Sequence, residues 1–197
     1  GQFLGPRDRL DSVLAPVFSI TVPSHAVIQE TPYWSASDFL SDIGKPGYYQ
    51  ERSRFLNKPM TSELIEVSRK WLSRWTTSSG HGTIKFFQTG GKANAITPTA
   101  TAFVHRSSEW LASIEINWPG NLAPQNLFLA HRWQNDFYRE IVPLCGGGGA
   151  YQNFPDPSLR DWAKAYYGEN LERLETIKSQ VDPLGVFNFT QSIPSPS

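Results

Sequence analysis

The most chemically suggestive run in this chain is Ser113-Ile114-Glu115-Ile116-Asn117-Trp118, where a single carboxylate alternates with β-branched apolar residues. Successive side chains of a strand point to opposite faces, so Ile114 and Ile116 face one way while Ser113, Glu115 and Asn117 face the other. A carboxylate placed there is either solvated or, where aromatic side chains exclude water, desolvated and poised as a proton acceptor. A second group, Tyr151-Gln152-Asn153-Phe154, follows the run Gly146-Gly147-Gly148-Gly149. Taken as a short last strand, it sets Tyr151 and Asn153 on one face and Gln152 and Phe154 on the other. The plainer reading of the same residues is an edge strand with a packed tyrosine.

Other chemistries find little support. The histidines His25, His81, His105 and His131 lie on separate elements with no i,i+4 pair, which argues against a zinc helix, and no metal is expected. The one cysteine, Cys145, excludes an internal disulfide and a multi-cysteine metal site, and reads as a small buried thiol at a helix end. Gly146 to Gly149 lacks the Lys-Ser/Thr pair that follows a phosphate-cradling loop. The chain is therefore not expected to bind a dinucleotide by itself.

Around these groups the periodicity changes several times. Gln2-Phe3-Leu4-Gly5 reads as the end of a strand, and Pro6 opens a helix whose stripe is Leu10, Val13, Leu14 and Val17. His25 to Glu30 reads as a short strand and Ser35 to Leu40 as a helical turn, followed by a loop from Gly44 to Tyr49. Thr61 caps a helix with Leu64, Ile65, Ser68, Leu72 and Trp75 at spacings of three and four, ending before Ser78-Ser79-Gly80. From Thr83 to Trp118 the period is two, interrupted at Gly90-Gly91 and Thr97-Pro98. Gln125 to Val142 is helical on Leu129, Trp133, Phe137 and Ile141, and the glycine run after it is a hinge or a close-approach loop. Ser158 to Gln180 is helical with a break at Gly168. Helices and antiparallel strands in this order predict an α+β fold, an antiparallel sheet flanked by helices with a helical C-terminal segment.

With 197 residues the chain has room for about one domain, or one and a fraction. Its 18 basic and 18 acidic residues cancel, so the overall positive field used in binding nucleic acid or an anionic membrane is missing. No stretch approaches the ~18 apolar residues of a membrane span, and the chain reads as soluble. Aromatic residues reach 13%, which points to an aromatic core or a ring-binding cleft. The triplet Asn188-Phe189-Thr190 fits a glycosylation acceptor, relevant only if the chain is secreted. A first residue of Gly rather than Met leads us to expect a processed product or a portion of something longer.

A longer pattern carries a resemblance. Tyr151-Gln152-Asn153-Phe154-Pro155-Asp156, then Leu159, Trp162, Tyr166-Tyr167-Gly168-Glu169-Asn170-Leu171, Arg173-Leu174, Ile177-Lys178, Asp182-Pro183, Phe187 and Gln191-Ser192-Ile193 resemble the C-terminal signature of the berberine bridge enzyme-like FAD-linked oxidases. Gly90-Gly91-Lys92 through Thr101-Ala102-Phe103-Val104-His105-Arg106 is similar to the family's glycine pair and Thr-Ala-Phe-Pro-His-Arg block, with Val104 in place of Pro. Gln2-Phe3-Leu4-Gly5 and Glu51-Arg52-Ser53-Arg54-Phe55-Leu56 are also similar to family segments.

The resemblance implies a vanillyl-alcohol-oxidase-type fold, with residues 1–145 as the substrate domain and 150–194 returning to complete the FAD domain. The N-terminal FAD-binding part is not in this sequence, so FAD is expected to bind only when that part is supplied. Expected partners are therefore a small-molecule substrate and the FAD-binding segment or a second copy, with apolar surface exposed around Tyr151, Trp162, Tyr166 and Tyr167. In sugar-oxidising members a tyrosine at the fourth position of the Tyr-x-Asn-Tyr motif is the base; here Phe154 stands there and accepts no proton. Glu115 is the expected substitute base or substrate anchor, with Tyr151 second. Ser113, Asn117, Trp118, Phe154 and His105 are expected to bind substrate, and Tyr151 and Asn153 to meet the cofactor. His105 and Arg106 have an alternative role, pinning the sheet to the strand after it. A flavin-free binding or cyclising domain, or an inert fragment, are the other readings left open.

Overall fold

The computed structural model describes residues 2–41, 47–77 and 80–194. Half of the loop expected at 44–49, and the helix stop at Ser78-Ser79, lie outside the described residues, and Tyr48 and Tyr49 of that loop begin a strand instead. Two compact units are present, Gly1–Pro46 and Gly47–Ser197.

In the first unit, α1 (Arg7–Phe18) follows Pro6, whose extended backbone stands just outside the first turn. A second helix, α2, spans Tyr33–Leu40. The strands expected at residues 2–5 and 25–30 do not form. Extended backbone without a neighbouring strand has no ladder to join, whatever its β propensity.

The second unit is built on a three-stranded antiparallel sheet of β1 (Tyr48–Leu56), β2 (His81–Gln88) and β3 (Trp110–Trp118), in the order β1-β3-β2. Its register brings Glu51, Glu115 and Thr83 into one row and Ser53, Ser113 and Lys85 into the next. The opposite face, with Ile114, Ile116 and Ala112, packs under α3 (Ser62–Leu72) and α4 (Pro124–Ile141). Thr61 caps α3 by accepting from the Leu64 N–H at 3.2 Å. The buried stripe of α3 is centred on Leu64 and Ser68 with Val67, Trp71 and Trp75 packed beside them, whereas Ile65 and Leu72 are exposed. The expected stripe is thus rotated by about one position, because Trp71 Nε1 is drawn to Glu140 and stacks on Phe137.

The glycine run is a close-approach loop. Phe55 N–H donates to Gly149 O at 2.8 Å and Asn57 N–H to Cys145 O at 2.9 Å, so the loop lies along the edge of β1. A Cβ on Gly148 would stand 1.8 Å from Phe55 O, closer than any side chain tolerates. After it, residues 151–154 form a turn closed by Phe154 N–H to Tyr151 O at 3.0 Å, not the expected strand. The C-terminal segment continues as α5 (Trp162–Tyr167), a 3-10 turn at Gly168–Asn170 with Gly168 at φ +49°, and α6 (Leu171–Val181). It carries a second small core of Ala150, Leu159, Ala165 and Tyr166.

Two buried connections join this segment to the sheet. Arg52 donates through Nε to Asp156 Oδ2 at 2.8 Å and lies 3.8 Å from the Tyr138 ring centre. Tyr151 N–H donates to Ser53 Oγ at 3.0 Å.

Candidate active site

The sheet face opposite the helices carries the site. Strand alternation puts Ser113, Glu115 and Asn117 on it together, as the sequence predicts, and the register adds groups from the two flanking strands. Lys85 Nζ lies 2.5 Å from Glu115 Oε2 and 3.4 Å from Glu51 Oε1. Ser113 Oγ donates to Glu51 Oε1 at 3.0 Å. Glu51 is 8% exposed and Ser113 fully buried, whereas the side chains of Glu115 and Lys85 keep 14% and 40% of their surface open. Burial works to lower the Lys85 pKa, yet hydrogen bonds and charge from Glu115 and Glu51 outweigh it and leave the value raised. The ammonium therefore stays charged at neutral pH. Thr83 Oγ1, in the same row as the two glutamates, is buried without a hydrogen-bond partner.

Beyond Lys85 the face becomes aromatic. Phe87 and Phe55 occupy the next row. The turn at 151–154 lays Phe154 5.9 Å from Phe87 and Tyr151 6.1 Å from Phe55, centre to centre. Because the backbone turns rather than alternates, Tyr151 and Phe154 meet at 5.2 Å instead of facing apart. Asn153 Nδ2 donates to Tyr151 Oη at 2.8 Å and fixes the phenol's direction. Gln152 Oε1, in the same turn, is a buried acceptor with no partner.

Of the residues expected at the site, Trp118 stands on the other face and His105 lies buried against Phe55 at the aromatic end. Trp118 belongs by alternation to the face of Ile114 and Ile116, where it stacks with Tyr48 and meets His131 edge-on. His105 is buried, stacked 4.1 Å from Phe55, with Nε2 3.1 Å from Tyr166 O. Burial pushes its pKa down to about 4, against weaker opposing hydrogen bonds from the Tyr166 and Ala150 backbone. A neutral ring wedged there ties the segment before β3 to α5 through Tyr166, a different contact from the expected one between the sheet and the strand after it. Its edge also borders an open cleft with Gln88, Asn94 and Phe103. Arg106 donates to the carbonyls of Phe103 and Ala93, holding its own loop.

Glu51 and Lys85 were not identifiable as site residues from sequence. Glu51 sits in a strand that is polar on both faces, and Lys85 on the face of β2 opposite Ile84 and Phe86; only the register shows which side chains share a row.

A family model described as berberine and berberine like matches residues 150–194. Over 198 residues the chain is 30% identical to an uncharacterised FAD-linked oxidoreductase of Bacillus subtilis, YgaK, covering 98% of this chain. The chain belongs to the berberine bridge enzyme-like family. It spans 42% of the length of YgaK. An aclacinomycin-N/aclacinomycin-A oxidase of Streptomyces galilaeus is 27% identical over 215 residues, covering all of this chain and 38% of that protein. Among solved structures, a berberine bridge enzyme variant described as a reticuline dehydrogenase superposes with a TM-score of 0.81 at 19% identity, over 98% of this chain and 44% of the other. That likeness bears on the fold, which is α+β of the vanillyl-alcohol-oxidase type.

FAD is the cofactor of these berberine bridge enzyme-like relatives. The turn at 151–154 fits such a group, since it pairs aromatic surface with the unpartnered Gln152 oxygen, an acceptor suited to an N–H edge of a flat heterocycle. Among the described residues no cluster of histidine, cysteine or carboxylates suits a metal, and no helix is long and apolar enough to cross a membrane.

Proposed function

We propose that this chain is the substrate-binding and C-terminal portion of an FAD-dependent oxidase of small-molecule alcohols, phenols or related secondary metabolites. Residues 1–145 serve as the substrate domain, and 150–194 complete the FAD domain. Glu115 takes the proton released when the substrate carbon gives up hydride. The observation that carries this reading is a carboxylate aimed from the middle of an open polar face, with aromatic rings four residues further along the flanking strands. That separation is about 13 Å at 3.3–3.4 Å per residue, so a ligand that reaches both is an extended one, with a ring against Phe87 and Phe154 and a hydroxyl at Glu115. FAD, when bound, supplies the hydride acceptor, and Tyr151 and Asn153 are the residues of this chain that would hold it.

Phe154 moves no proton, which leaves Glu115 as the acceptor on this face and Tyr151 as a ring wall with an oriented hydroxyl. Ser113 and Asn117 flank the carboxylate and fix its surroundings. The same Phe154 favours a second reading, a flavin-free domain that encloses a substrate without redox chemistry.

The test is co-expression with the FAD-binding part of the Bacillus subtilis relative. The chain alone is expected to be colourless, and the complemented protein to hold flavin and to reduce it with an alcohol or phenol. In that protein Glu115→Gln is expected to lower kcat about 10²-fold or more while changing KM little. A flavin band retained by this chain alone, or unchanged turnover in the variant, would sink the reading. Failure to take up flavin when complemented would favour the second.

A further inference from the structure

Glu51 and Glu115 are direct cross-strand partners. Like charges so placed repel each other, and in partly desolvated surroundings such a pair tends to retain a proton. The sheet answers this with one ammonium from the third strand, Lys85, which contacts both carboxylates. Glu51 is the more deeply buried of the two and receives a second donor in Ser113. Among the described residues, the Glu115 carboxylate bonds only to Lys85, through Oε2, which leaves Oε1 for a ligand.

From this arrangement we infer that Lys85 and Glu51 are positioning residues for Glu115. Lys85 clamps Oε2 and fixes the direction of Oε1; Glu51 is the buried anchor that keeps Lys85 in place. The inference rests on Glu115 being the proton acceptor. The other titratable groups on this face are Tyr49 from β1 and His81 from β2, both one row beyond the glutamates, and Tyr151 from the turn. None of them bonds to the three.

Two measurements separate this inference from the reading beneath it. The first uses the chain as it is, with acetic anhydride labelling of Lys85 followed by peptide mass spectrometry across pH. Lys85 is expected to label at least about threefold faster in Glu51→Gln and in Glu115→Gln than in the parent at the same alkaline pH, because each variant removes a charge that holds the proton. Equal rates in all three would overturn the inference.

The second uses the protein complemented with an FAD-binding part. The acidic limb of kcat/KM is expected to move to higher pH in Lys85→Met and to lower pH in Glu51→Gln, with Lys85→Arg restoring the parent profile. An unmoved limb in both, while Glu115→Gln still abolishes turnover, would also overturn it. Full turnover in Glu115→Gln would instead defeat the proton-acceptor assignment, and the labelling result would then decide the clamp alone. Should Lys85→Met fail to fold, Glu51→Gln carries both measurements.

Discussion

His105 is a polar residue that the fold buries among aromatic rings. Its ring is stacked on Phe55 and bonded at Tyr166, and its proton affinity is depressed to about 4 by burial. As pH falls below the ordinary histidine value of about 6.5, the unfolded chain binds the proton first, so stability drops progressively down to about pH 4. The loss is on the order of 2 kcal/mol, and His105→Gln should remove this part of the acid dependence in denaturation curves taken at several pH values. Arg52 is a second residue whose meaning lies in burial. Arg52→Met leaves Asp156 as an uncompensated charge, and chemical denaturation should show a loss of about 3–5 kcal/mol.

Among the elements, the glycine loop at 146–149 sets where Tyr151 and Phe154 come to rest. Its close approaches to α5 and to the segment before β3 need backbone where a side chain would stand: a Cβ on Gly149 would lie 2.3 Å from Ala165 O and 2.4 Å from the His105 ring. At Gly147 a Cβ meets nothing, although φ is +81°. Gly147→Ala should therefore cost about 1–2 kcal/mol, the penalty of left-handed backbone alone, whereas Gly148→Ala should exceed it several-fold or prevent folding. Thermal melts of the two variants make the comparison. The helical periodicities predicted α3 and α4, and the α6 break at Gly168, since each depends on neighbours within a turn. The period-two reading of residues 151–154 failed, because four residues show the same alternation whether they bond to a strand or fold back on themselves.

For the molecule as a whole, the second small core and the buried ties at Arg52 and Ser53 hold residues 150–194 beside the sheet. Tyr166, expected at an exposed seam, is buried there, and its hydroxyl donates to Gln191 Oε1 and accepts from Asp156 N–H. Exposed apolar side chains lie further on, at Val181, Leu184, Val186, Phe187 and Phe189. A patch of this kind favours association. Sedimentation of the chain alone should show concentration-dependent self-association, reduced in the double variant Phe187→Ser, Phe189→Ser.

Local order was readable from the string of residues: which segments are helical, and that Glu115 shares a face with Ser113 and Asn117. Those properties depend on neighbours a few positions away. The clamp on Glu115 was not readable, since Lys85 lies 30 residues before it and Glu51 is brought opposite it by strand pairing. A slip of one residue in that pairing would turn Glu51 to the helix-covered face. Register is set by the packing of the whole sheet, and the charges that surround Glu115 are therefore a property of the fold.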